Sequence, residues 1–150
     1  MDPAPNFRLH DPQVTVFICE HCCGQVPLSH GLPVNCRLLR CCAGEVGAGR
    51  LREAFADGAD GVLVLGCVGR HCCVPGDDMA AFIHIHEGTM ALHRLGLNPV
   101  RLHRLWLTPR EASGVMTQIV AFRRRLAALG PRRKSATAPV PVSAAGAVGA

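Results

Sequence analysis

The chain reads as a single α/β domain, an open and mostly parallel four-stranded sheet with helices on its faces. Three observations predict this. Short apolar runs alternate with longer segments of helical periodicity. The clearest run, 61–65, is apolar throughout, as a strand covered on both faces must be. Glycines and prolines fall at the junctions between the two kinds of segment.

Residues 14–18 form a β-branched run that reads as the first strand and ends at Cys19. A glycine- and proline-bearing stretch over 24–33 follows. Residues 34–39 read as the second strand, running into Cys41 and Cys42. A short helix is expected over 50–56, with Gly58 at the position just past its end, where a left-handed residue is favoured. The third strand, 61–65, leads into Gly66 and Cys67. Asp77 or Asp78 can cap a helix that continues to about residue 95, with Gly96 and Pro99 as stop signals. Residues 102–107 alternate basic and apolar side chains and read as the fourth strand. The last helix is predicted from a capping box, with Thr108 as N-cap, Pro109 at the first helical position and Glu111 two residues on. Its apolar residues Ala112, Val115, Ile119, Phe122, Leu126 and Leu129 recur every three or four positions and share one face, which should dock on the sheet. Gly130 and Pro131 end it. The result is a flavodoxin-like layout. Residues 1–13 are read as an N-terminal linker, 14–130 as the domain, and 131–150 as a disordered tail, because past Lys134 the sequence has no charge and no periodicity.

Composition narrows the function classes. The chain has 150 residues, 49% of them hydrophobic and 18% charged, enough to bury a core without disulfide staples. Of the net charge of +5, Arg132, Arg133 and Lys134 supply three in the tail. There is one tryptophan, no tyrosine, and no aromatic run interleaved with basic residues, so no base-stacking surface for nucleic acid is expected. The longest apolar stretch, 62–69, is far shorter than the roughly 20 residues of a membrane-spanning helix, and no membrane insertion is expected. No basic segment followed by an apolar core opens the chain, so the expected compartment is the cytoplasm.

Nine cysteines in a reducing compartment point to metal binding or redox chemistry rather than to structural disulfides. Cys19, Cys22 and Cys23 follow the first strand, Cys41 and Cys42 the second, and Cys67, Cys72 and Cys73 the third. In an open parallel sheet those positions are the carboxyl ends of the strands, which share one edge, where such folds bind ligands. Cys36 lies within the second strand and reads as core packing. An iron–sulfur cluster needs four soft thiolate donors, and Cys19-x-x-Cys22 and Cys67-x4-Cys72 each offer two from one loop. Gly24, Gly44, Gly66 and Gly69 allow tight turns and close approach of backbone amides. Zinc would accept the same thiolates, alone or with His21 and His71, and a C-x-x-C pair can also serve thiol–disulfide exchange. His84 and His86 lie two apart on a predicted helix and cannot face one ion together; with His93 they read as surface or boundary residues. Arg123, Arg124 and Arg125 read as a solvated face suited to the end of a helix.

A more specific pattern lies in Glu53-Ala54-Phe55 followed by Gly58-Ala59-Asp60-Gly61-Val62-Leu63-Val64 and Gly66-Cys67. Together with the spacing of Cys19, Cys22, Cys42, Cys67 and Cys72, it resembles the iron–sulfur (delta) subunit family of methyl-viologen-reducing hydrogenase, over about 14–131. The resemblance implies a [2Fe-2S] cluster held by four of those five matching cysteines. It also implies an electron-transfer role, without catalysis of the chain's own, between hydrogenase or dehydrogenase subunits on one side and a heterodisulfide-reductase-like flavin subunit on the other. The chain departs from the family pattern at Val68-Gly69-Arg70-His71, where a His-Pro-Gly-Asp type loop is usual, and in the doubled cysteines Cys23, Cys41 and Cys73.

Overall fold

The computed structural model describes residues 10–19, 31–67, 77–108 and 114–132. In chain order it contains β1 (Val14–Ile18), β2 (Cys36–Arg40), α1 (Ala48–Ala56), β3 (Gly61–Cys67), α2 (Asp77–Arg94), β4 (Leu102–Leu107) and α3 (Val115–Leu129). The strands form one sheet in the order β2-β1-β3-β4, every neighbouring pair parallel. The expected α/β sheet is therefore parallel throughout.

Side-chain alternation along each strand divides the core into two layers. Phe17, Val62, Val64 and Leu102 pack with Leu51, Phe55, Ile85 and Leu92 of α1 and α2. Val14, Val16, Ile18, Leu63 and Leu65 pack on the other side with Val115, Ile119, Phe122 and Leu126 of α3. β3 is buried along its whole length, which is why its sequence is continuously apolar. Each of the fully buried α3 side chains Ile119, Phe122 and Leu126 contributes about 1.5–3 kcal/mol of burial free energy.

Several boundaries differ from the sequence reading, each for a local reason. β2 starts at Cys36 rather than at residue 34 because Pro33, Val34 and Asn35 form a turn: the Cys36 amide donates to the Pro33 carbonyl at 3.2 Å, and Asn35 has φ of 64°. Asn35 tolerates that left-handed conformation better than most residues, and its side-chain amide donates to Asp11. α3 is described from Val115, with Gly114 at the N-cap and no side-chain capping bond. Pro109, Glu111 and Ala112, on which the expected earlier start rests, lie outside the described residues. Leu129 is exposed rather than docked. Leu126 already lies over Gly61, the first residue of β3, so the next turn of α3 runs past the amino edge of the sheet. The expected stop of α2 holds: Gly96 has φ of 70°, and the Leu97 amide donates back to the Leu92 carbonyl at 2.9 Å.

Buried Arg101 ties the amino edge together. Its guanidinium donates to the Asp60 carbonyl and to the Gly130 carbonyl, both at 3.0 Å, joining the entry to β4 with the entry to β3 and the end of α3. Asp60 in turn accepts from the Gln13 amide at 2.8 Å and stands 3.2 Å from His10. Among the described residues no helix is long and apolar enough to cross a membrane.

Candidate functional site

The strand order reverses between β1 and β3: the chain leaves β1 for β2 on one side and then crosses to β3 on the other. At such a switch point the connections diverge and leave a crevice at the carboxyl edge of the sheet. Cys19 and Cys67 stand on its two sides. Cys19 is the residue after β1, and its amide continues the ladder by donating to the Leu65 carbonyl at 3.2 Å. The Cys41 amide likewise donates to the Ile18 carbonyl at 3.0 Å. Extending the registers Ile18↔Arg40 and Ile18↔Leu65 by one residue sets Cys19 between Cys41 and Gly66, about 4.8 Å from each strand.

Cys67 is the last residue of β3, paired with Leu107 of β4. The third strand therefore runs two residues further than the sequence suggests, and Gly66 is not the start of a loop. Its role is packing. A Cβ built on Gly66 would stand 2.5 Å from Cζ3 of Trp106 and 3.0 Å from Cβ of Ala43. Absence of that atom lets the indole cover the end of β3 and lets the turn after Cys42 pack beside it. Cys42 itself is extended, with φ of −68° and ψ of 138°, and its carbonyl accepts from the Glu45 amide at 2.9 Å to open a single 3-10 turn over Ala43–Glu45.

Cys19, Cys41, Cys42 and Cys67 are all buried. Alternation along the strands puts Cys67 on the α3 side with Leu63 and Leu65, whereas Cys41 packs in the α1 and α2 layer beside Phe17, Ala43 and Val46. Three of the five candidate ligands, Cys19, Cys42 and Cys67, thus share the carboxyl edge. Cys22 and Cys72 lie outside the described residues, as do Cys23, Cys73, His21 and His71. Among the described residues no three His, Cys, Asp or Glu side chains form a group able to hold a metal ion. What the described residues supply suits a soft-metal centre, namely buried thiols at strand ends with backbone amides nearby.

Cys36 is separate from this edge. It begins β2, five residues and about 16 Å along the strand from Cys41. It is half-buried against the α3 layer, as expected for core packing. Burial pushes its thiol pKa up, the Arg123 guanidinium opposes the shift and the Asp11 carboxylate adds to it. A thiol held in its protonated form is a poor metal ligand.

Two side chains near the edge carry no signal in the sequence. Trp106 is the first, and only the coincidence of a lone tryptophan on β4 with a glycine at the facing position of β3 could have disclosed it. His84 is the second. It is half-buried on α2 against Gly47, just beyond the cysteine-bearing turn, and its Nδ1 is buried with no hydrogen-bond partner. His86 and His93 are exposed, as expected. In the arginine run, Arg123 is engaged by Asp11 and Arg125 lies over the Phe122 ring, 5.6 Å from its centroid.

A profile of the family described as methyl-viologen-reducing hydrogenase, delta subunit, matches residues 14–130. One subunit of the ferredoxin:CoB-CoM heterodisulfide reductase of Methanosarcina mazei is 29% identical over 126 residues, covering 80% of this chain and 16% of that protein. Its ferredoxin/F(420)H(2)-dependent counterpart from Methanosarcina acetivorans matches over the same shares, also at 29% identity. The iron-sulfur subunit of the F420-non-reducing hydrogenase of Archaeoglobus profundus is 28% identical over 125 residues, covering 77% of this chain and 91% of that protein. The chain thus spans about one sixth of the reductase subunits it matches, and nearly all of the hydrogenase subunit.

Proposed function

The chain belongs to the methyl-viologen-reducing hydrogenase delta-subunit family, and on that premise we propose that it is an electron-transfer subunit carrying a [2Fe-2S] cluster. It relays electrons between a hydrogenase or other donor and a heterodisulfide-reductase-like flavoprotein, and it works in the cytoplasm. The observation that carries this reading is the gathering of buried Cys19, Cys42 and Cys67 at the carboxyl edge, on either side of the switch point. The coverage of the relatives supports the choice of partners. The same fold unit matches a small part of a reductase subunit and most of a hydrogenase subunit, as expected for a module between the two activities.

In this reading Cys19 with Cys22 holds one iron and Cys67 with Cys72 the other, and Cys42 is the remaining matched thiol. When bound, such a cluster takes up and releases single electrons with no bond made or broken in a substrate. The chain's own part is to supply deprotonated thiols and to keep water from them with the buried strand ends. Gly66, Trp106 and Ala43 pack together where β3 and β4 end, beside Cys42 and Cys67.

Anaerobic purification tests the reading. A brown protein whose visible absorption is bleached by dithionite, with iron and acid-labile sulfide in equal amounts, is expected. A colourless protein carrying zinc, or a redox-active thiol pair without metal, would replace it with a zinc-binding or thiol–disulfide interaction module.

A further inference from the structure

β4 is an outer strand of the sheet, and among the described residues nothing pairs with its free edge. In a parallel strand every second residue turns both its amide and its carbonyl to the same side. Alternate residues of Leu102–Leu107 therefore leave a donor and an acceptor unpaired at that edge. A groove of about 500 Å³ follows it. Phe82, Ile85, His86 and Thr89 of α2 form one wall, and Pro99 and Val100 lie at its amino end. The other wall is Leu102, His103 and Arg104. Side chains alternate along a strand: Leu102 and Arg104 face α2, whereas His103 stacks on Phe122 of α3 with ring centroids 5.9 Å apart. A groove lined by all three includes the strand edge itself and not only one face of the sheet. Phe82 and Val100 are 52 and 50% exposed, so its apolar walls are uncovered.

We propose that this groove takes an extended segment of a partner protein, which adds a strand to the free edge of β4 and sets a carboxylate against Arg104. The edge requires extended backbone, because the amides and carbonyls of a helix are already bonded to one another. The charge selects an acidic segment. Arg104 is the one permanent charge in the lining, which holds no carboxylate, and no acidic side chain among the described residues pairs with it. Its guanidinium carbon stands 4.4 Å from the centroid of the Phe82 ring and 5.8 Å from that of Trp106. Stacking of this kind leaves the N–H groups around the guanidinium plane free to bind and presents them already oriented. Burial, and then the charge of Arg125, lower the pKa of His103 from 6.5, so its imidazole adds no charge at neutral pH. A second copy of this chain does not satisfy the site. β4 and the other outer strand, β2, contain basic but no acidic residues, so pairing either of them here would offer Arg104 no carboxylate. Alternate positions of the incoming strand would face α2, where Phe82, Ile85 and Val100 suit apolar side chains beside the carboxylate.

This strand addition is independent of the cysteine edge and is tested on the intact chain with a blocked hexapeptide in which valine, glutamate and valine alternate with threonine. Trp106, the chain's only tryptophan, lies beside Arg104 and reports binding by its fluorescence. Saturable binding is expected, together with slower amide hydrogen exchange in β4. Lysine in place of the glutamate, or Arg104→Gln, should weaken binding about fivefold, as loss of a partly exposed ion pair does. Arg104→Glu should reverse the preference between the two peptides. A fully N-methylated peptide, which cannot donate to the β4 carbonyls, should not bind. Failure of the glutamate peptide to bind overturns the proposal, as does binding indifferent to N-methylation or equal affinity for the glutamate and lysine peptides. Those three comparisons use the unaltered chain and decide the matter even where an Arg104 variant fails to fold. A dimer in sedimentation velocity whose β4 amides are protected and which the peptide does not dissociate overturns the proposal by assigning the edge to a second copy.

Discussion

Replacing Gly66 with alanine isolates the contact that packs the cysteine edge. The added Cβ would lie 2.5 and 2.8 Å from two carbons of the Trp106 ring and 3.0 Å from Cβ of Ala43. None of these is the loose end of a flexible chain: the indole sits on a paired strand, and Ala43 belongs to a backbone turn. Overpacking of this kind costs about 1–3 kcal/mol, and relief of glycine's unfolded-state entropy returns about 0.5–1 kcal/mol. A net loss of about 1–2 kcal/mol is expected in urea unfolding of the intact chain. Trp106→Leu should absorb part of the clash, so the double variant should be more stable than the sum of the singles by about 1 kcal/mol. Because Ala43 follows Cys42, Gly66→Ala should also lower metal content, whereas Gly49→Ala, where a Cβ meets nothing within 4 Å, should not. A neutral or stabilising Gly66→Ala, or strict additivity with Trp106→Leu, would refute the role assigned to this glycine.

Other substitutions probe separate parts of the fold. Ile119→Asp sets an unpaired charge on the fully buried face of α3 and should leave the chain unfolded at room temperature by circular dichroism; a cooperative melt would contradict that packing. Arg101→Met strands the Asp60 and Gly130 carbonyls and should cost about 1–3 kcal/mol, partly recovered by lysine, and equal stability in urea would show that the bridge is idle. His103 stacks on Phe122, and its pKa is lowered from 6.5 by burial and then by the charge of Arg125. Its folded state therefore binds a proton less readily than its unfolded state, so its contribution to stability is present above pH 6.5 and is lost as the pH falls. His103→Gln should shrink the fall in melting temperature between neutral and mildly acid buffer, and an unchanged fall would assign it to other groups.

The parts of the fold legible in the sequence are those where one physical rule acts alone. β3 is continuously apolar because both of its faces are covered, and the end of α2 follows from a glycine that can turn left-handed. The edge location of Cys19, Cys41, Cys42 and Cys67 was legible for the same reason: once the strands are parallel, residues at their carboxyl ends share an edge. Boundaries set by long-range packing were not. Gly66 and Cys67 stay in the sheet because Trp106, forty residues later, packs where a side chain would have been. The turn at Asn35 depends on Asp11 across the layer, and Leu129 falls outside the core only because α3 outruns the sheet at Gly61. No periodicity within one segment contains that information.

The central claim is that thiols at the carboxyl edge hold an iron–sulfur cluster, and the most direct test is the iron and acid-labile sulfide content of single Cys→Ser variants purified anaerobically. The account predicts loss of both in the Cys19, Cys22, Cys67 and Cys72 variants, a lesser loss for Cys42, and wild-type content for Cys36, whose thiol stays with the α3 layer at the opposite edge. Retention of iron in all of these variants, or loss of iron on replacing Cys36 with Cys19 and Cys67 silent, would contradict it.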